Sequence, residues 1–348
     1  MTLRLEVSML LISLCAIVGC QPDISSPATS NPNNGGEAAT APDTGGASRE
    51  PSEVVVTTPE SQIGTTRLLS AEGTFNAPQH GYDNRFEFEL SGQMKYRVQI
   101  SFAPFVGDDW SLNPLTDVTN PTDSKMYAAF HAVFYNDTGQ LVGCCQQDIE
   151  MEPNDGPTQL GSLVLRGPQK ALLTATQFEI VIYESDKQIG SEPIDVNATT
   201  DLVGRSGKVI TKLKEIDASE IATDNGTMLR LKAAITFEDP ADKSRNTHLD
   251  VHGKAEYSLY LDTRHRPVTT MKSSGENETY ERWEVAAEFD PRKRVPGVSA
   301  EPHFALYDDN GKLVACVGSP SVGQLVAPED YLLSATELEM VAFETAQD

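Results

Sequence analysis

The chain has 348 residues, enough for about two domains at roughly 100–200 residues each. It carries 51 Asp and Glu against 27 Lys and Arg, a formal net charge of −24. A surface of that sign repels phosphate, which argues against nucleic acid as a partner and against broad adhesion to anionic lipid.

Val7 to Val18 is mostly apolar, the length of a signal-peptide hydrophobic region and short for a bilayer span. It ends in Ile17-Val18-Gly19-Cys20, which resembles the lipobox of bacterial lipoprotein signal peptides. The resemblance implies cleavage after residue 19, lipidation of Cys20 and anchoring to a membrane of the cell envelope. With Gln21 after the cysteine, it points to the outer membrane or the periplasmic face. Residues 1–19 are therefore read as signal peptide.

Residues 20–62 are rich in Ser, Pro, Asn, Gly and acid, as in Ser30-Asn31-Pro32-Asn33-Asn34-Gly35-Gly36. Such a stretch buries too little apolar surface to offset its ordering entropy and reads as a disordered tether. A flexible linker of about 40 residues reaches roughly 35 Å. Val54-Val55-Val56 is its one candidate strand.

The remaining chain repeats itself. Gly64-Thr65, Leu69, Ala71, Thr74-Phe75 and Pro78 recur as Gly226-Thr227, Leu231, Ala233, Thr236-Phe237 and Pro240. Gly92 and Tyr96 recur as Gly253 and Tyr257. The stretch from His131 through Tyr135 and Gly139 to Cys144 recurs from His303 through Tyr307 and Gly311 to Cys316. Leu172 to Glu179 recurs as Leu332 to Glu339. These segments agree at about half their positions, where unrelated sequences of average composition agree at about one in fifteen. The order is the same in both copies, so the sequence predicts two homologous domains, 63–197 and 226–348, joined by a linker over 198–225.

Inside each copy the apolar period is two. Met94, Tyr96, Val98, Ile100 and Phe102 form one stripe, and Leu229, Leu231, Ala233, Ile235 and Phe237 another. Phe178, Ile180 and Ile182 match Leu338, Met340 and Ala342. Each stripe predicts a strand with one buried and one solvated face, as in antiparallel sheets. The Trp283–Phe289 stripe lacks an alternating counterpart in the first copy and reads as an added edge strand. Ala218–Ala222 is a candidate helical turn. Asn136-Asp137-Thr138-Gly139 and Asp308-Asp309-Asn310-Gly311 carry the chemistry of a hairpin built on a type I turn and a G1 bulge. The predicted fold is all-β: two tandem antiparallel β-sandwiches, Ig-like in broad architecture, after the tether.

Catalytic and metal signatures are absent from the sequence. His131 and His303 lack HxH, HExxH or CxxC company and read as structural strand histidines; the acidic turns read as hairpins, not calcium loops. With Cys15 in the signal and Cys20 lipidated, Cys144, Cys145 and Cys316 remain. They read as buried thiols, with a bridge between the domains or a vicinal Cys144–Cys145 bond as alternatives. No cofactor motif is found.

The copies diverge after matching strands. The first runs through Phe105 and Trp110 in an aromatic, acidic loop; the second has Arg264 and Arg266, and later Arg292, Lys293 and Arg294. Duplicated scaffolds differentiate through loops. If the two basic clusters meet at one end of the sandwich, they form a site for an anionic envelope polymer or an acidic protein. The expected function is thus that of an anchored, non-enzymatic binding or structural protein. The competing expectation is an envelope hydrolase or carbohydrate-active enzyme with carboxylates from separate strands.

Overall fold

Alternating apolar residues on β-branched and aromatic runs form strands, and Gly-bearing turns close them into hairpins. The computed structural model describes residues 54–57, 62–63, 66–76, 86–104, 109–159, 165–193, 210–223, 226–238, 248–271, 277–293, 295–318 and 323–346. The first half contributes β1 (Val54–Thr57), β2 (Gln62–Ile63), β3 (Thr66–Thr74), β4 (Phe86–Ser91), β5 (Lys95–Pro104) and β6 (Asp109–Thr119). It continues with β7 (Met126–Asn136), β8 (Leu141–Met151), β9 (Thr158–Gln159), β10 (Leu165–Pro168), the one-turn helix α1 (Gln169–Leu172), β11 (Ala175–Ser185) and β12 (Ser191–Pro193). The second half contributes β13 (Ile210–Thr223), β14 (Gly226–Glu238), β15 (His248–His252), β16 (Glu256–Met271) and β17 (Asn277–Lys293). β18 (Val298–Tyr307), β19 (Leu313–Gly318), β20 (Gly323–Leu325), α2 (Glu329–Ser334) and β21 (Glu337–Ala346) complete it.

The protein is all-β, and the described strands form four antiparallel sheets. The first runs β1-β3-β11-β7-β8 with β2 on β3, and the second β10-β6-β5-β4 with β9 on β6. The third runs β12-β17-β16-β15 with β20 on β17, and the fourth β13-β14-β21-β18-β19. Strand order in the fourth sheet repeats that of the first. The hairpins β4-β5-β6 and β15-β16-β17 also correspond, with β10 and β20 on equivalent neighbours. First and second sheets enclose one core, in which Leu90, Met94, Tyr96 and Phe102 meet Phe130, Phe134, Phe178 and Ile182.

Several sequence expectations are corrected here. Part of the expected tether is sheet: β1 and β2 pair with β3, because Val54-Val55-Val56 covers backbone groups of an otherwise bare edge. Residues 210–223 of the expected linker form β13, which pairs β14 along its length and takes in Ala218–Ala222. Lys214 to Ala222 are exposed, so the ladder and not an apolar stripe makes this strand. β12, from the end of the expected first domain, hydrogen-bonds β17. β17 is an interior strand whose counterpart is β6, not an added edge.

The expectation of one solvated face per stripe also fails at the centre. Ala128 to Phe134 are buried without interruption, and Ile180 to Tyr183 likewise. The outward face of the first sheet, with Ala129, Val133, Cys144, Val181 and Tyr183, packs into the same core as the second sandwich. Residues 50–348 accordingly form one compact unit, not two beads on a string.

Candidate functional site

Where the first and fourth sheets meet, equivalent residues meet one another. Tyr135 donates its hydroxyl hydrogen bond to Tyr307 Oη at 3.0 Å. His131 Nδ1 accepts from Cys316 N at 3.1 Å while Nε2–H donates to Val326 O at 2.8 Å. His303 Nδ1 accepts from Cys144 N at 3.4 Å, the mirror of the first contact. The histidines are thus wholly buried members of an interface. Burial lowers the His131 pKa, which keeps the ring neutral. Burial likewise pushes the Tyr135 and Tyr307 hydroxyls upward.

A second repeated device sits inside each sandwich. Glu184, on β11, accepts from Gln93 N at 2.8 Å, Met94 N at 2.9 Å and Tyr96 Oη at 2.9 Å. Glu344, on β21, accepts from Lys254 N, Ala255 N and Tyr257 Oη at 2.7, 2.7 and 2.8 Å. Each carboxylate fixes the turn entering β5 or β16. A Cβ on Gly92 would collide with the Glu184 carboxylate, which explains the recurrence of Gly92 and Tyr96 as Gly253 and Tyr257. The partner acids escaped the sequence reading, because the repeat was traced only to Glu179 and Glu339; five residues further on in each copy they align.

The two sandwiches differ at the end where these turns lie. In the first, Met94, Met126 and Met151 fill the space and are 0–1 % exposed. Asn120 closes that end, donating through Nδ2 to Ser124 O at 2.8 Å and Glu152 O at 2.9 Å. In the repeat, Ala255 stands where Met94 does and Val298 where Met126 does. Met126 pairs with Met151 on β8, and at the spacing of the repeat Gly323 stands where Met151 does. The result is a cavity of about 510 Å³ between Ala255, Tyr257, Phe289, Pro291, Val298 and Ala300. Its volume falls within the range of small-molecule sites, about 300–1,000 Å³. Tyr257 stacks on Phe289 at 4.4 Å between ring centroids, forming a flat apolar wall. Burial and the adjacent Glu344 push the Tyr257 hydroxyl up, so it stays protonated and committed to that acid.

The basic residues do not gather as the sequence suggested. Arg264 and Arg266 lie within the β16–β17 ladder, opposite Glu284 and Arg282, and not in a loop after a shorter strand. Lys293 is opposite Glu256, nine residues along β17 from Glu284, which is about 30 Å at strand rise. The two clusters therefore form no common patch, since the alternating stripe from Tyr257 continues as one long hairpin. Arg292 and Lys293 follow the Pro291 wall along β17 and do not themselves line the cavity. Arg292 Nη1 is 2.8 Å from Asp250 Oδ1, and Lys293 is largely exposed. Trp110 lies on β6 opposite Pro104, not in a loop. Its side chain, those of Arg264 and Arg266, and all of Cys20, Phe105 and Arg294 fall outside the described residues.

Two other acids have raised pKa values. Burial pushes up Glu179, which accepts from Leu313 N at 3.0 Å, and Glu339, which holds Lys232 at 3.3 Å. Glu339 also lines a small recess of about 160 Å³ with Gln140 and Arg230. Glu179 bonds across to the fourth sheet, whereas Glu339 bonds within its own sheet and borders the recess beside the 139–141 turn. Among the described residues there is no group of three or more metal-ligating side chains. No family model, curated protein or solved structure matches this chain.

Proposed function

We propose that this is a lipid-anchored protein of the bacterial cell envelope that binds without catalysing. Its ligand is an amphiphile, an aliphatic chain with an anionic head. The cavity that replaces three methionines carries the reading: a volume matched in the first sandwich by unbranched, flexible apolar side chains suits an unbranched apolar chain. Arg292 and Lys293, next along β17 after the Pro291 wall, would favour a carboxylate or sulfate head, and their exposure makes that contribution modest and salt-sensitive. The lipobox-like Ile17-Val18-Gly19-Cys20 supports the anchor.

Calorimetric titration with dodecanoate tests the site. Dodecanoate binds the wild type, and the Ala255→Met, Val298→Met double variant, which refills the space, loses that binding while keeping its circular dichroism. Arg292→Ala with Lys293→Ala weakens dodecanoate severalfold and leaves an uncharged dodecyl glycoside unaffected. Unchanged dodecanoate binding by the refilled variant would show that the cavity is not the site. For the anchor, labelled palmitate enters the wild type and not Cys20→Ala; labelling of both proteins would remove Cys20 from the reading.

A further inference from the structure

The contact between the first and fourth sheets brings together two thiols that neither hold a metal nor face the cavity. Cys144 and Cys316 occupy the same position of the repeat, each on the last strand of its sheet. At an interface where like meets like, residues on the local axis confront their own counterparts. Cys144 Sγ lies 3.2 Å from Phe304 O and 3.3 Å from Val317 O, on the far sheet. Cys316 Sγ reciprocates at 3.4 Å from Ala132 O and 3.1 Å from Cys145 O. The backbones beneath them are in contact: a Cβ on Gly318 would collide with Cys144 O. Cys145, the next residue, points the opposite way into the core of the first sandwich.

We propose that Cys144 and Cys316 are a disulfide site that staples the two sandwiches face to face. The oxidant is a disulfide-bearing compound. One of the two cysteine thiolates attacks one of its sulfurs, the S–S bond of the oxidant breaks, and one thiolate leaves. The other cysteine thiolate then attacks the protein sulfur of the mixed disulfide, forms the Cys144–Cys316 bond and expels the second. The two protons from the cysteines end on the two expelled thiolates, and two electrons pass to the oxidant. Burial alone would raise the Cys144 thiol, but hydrogen bonds from Cys316 and His303 outweigh it, while burial and its partner raise Cys316. Those shifts belong to the closed interface; on the folding chain either thiol attacks first, with the same product. Both sulfurs are sealed in the folded protein, so exchange takes place on the folding chain, before the two sheets close.

The test is refolding of the full chain from reduced denaturant with oxidised glutathione, followed by N-ethylmaleimide trapping and peptide mass analysis. The expected product is a peptide pair linked through residue 316, retained in Cys145→Ser and absent from Cys144→Ser and Cys316→Ser. The linked form melts several degrees higher, and dithiothreitol reverses the shift. Since either serine variant could misfold, the linked peptide in wild type and in Cys145→Ser is the deciding measurement. A link through Cys145, glutathione left on Cys144 or Cys316 without ring closure, or maleimide on both Cys144 and Cys316 would overturn the proposal.

Discussion

Glu179 and Glu339 show how single residues register their burial on folding. Each is mostly buried, and burial raises its pKa above that of the unfolded chain. The sign follows from linkage: between the unfolded and the raised folded value the folded state binds more protons. Their contribution therefore improves as pH falls from neutrality through the folded pKa, and becomes constant below the unfolded value near 4.5. Urea midpoints of wild type and the Glu179→Gln, Glu339→Gln variant test this. Wild type should gain on the variant as pH drops from 7 towards 4.5, and a constant difference would refute the assignment. At this scale the sequence revealed what repeats and hid what is used. His131, Tyr135 and Cys144 stood out because they recur, yet their partners lie in the other copy. No spacing within one copy can show a contact that crosses between sheets.

Among elements, the two hairpins between paired strands are the best match between expectation and structure. Gly139 and Gly311 have φ of 76° and 74°, and the ladder shifts register beside each turn. Asn136 Oδ1 accepts from Thr138 N and Gln140 N at 3.1 and 2.9 Å, and Asp308 Oδ1 does the same for Asn310 N and Lys312 N. Nothing lies near either missing Cβ, so Gly139→Ala and Gly311→Ala should each cost about 1–2 kcal/mol, all of it from the left-handed backbone. A thermal melt showing no loss would mean that the turns can change type. Turns were legible because their chemistry is local. β13 was not: its exposed side chains carry no stripe, and only the free edge of β14 calls for it. β7 carried no stripe either, for the opposite reason. Its apolar run from Ala128 to Phe134 has no polar alternation to give up a face, as suits a strand covered on both sides.

Across the whole molecule the tandem arrangement is deceptive. The halves share a core through Val181, Tyr183, Phe304 and Val317, and Tyr183 Oη donates to Val314 O at 2.7 Å. Residues 50–348 should therefore unfold in urea as one cooperative transition, with fluorescence and circular dichroism coincident. Two separated transitions would mean that the sandwiches stand alone. The all-β class and the repeat were legible here, while the stacking of the copies was not, because a face buried by a neighbouring copy looks in sequence like any other sheet interior. The cavity was illegible for a related reason. It depends on small residues at Ala255 and Val298 against large ones at Met94 and Met126, a difference with meaning only once the copies are overlaid in space.

That the halves meet through the same residues has a consequence for how the molecule behaves on dilution. Tyr135 on Tyr307, and His131 and His303 each on the other's cysteine strand, make the pattern of an isologous dimer, the kind two identical single sandwiches would form. Such a dimer dissociates as its concentration falls. With both copies on one chain, the encounter is between neighbours at a fixed effective concentration, and the pairing no longer depends on how many molecules are present. A molecule present at low concentration keeps its paired form when it is alone. Freed from having to be identical to its partner, one copy can keep a filled interior while the other opens one.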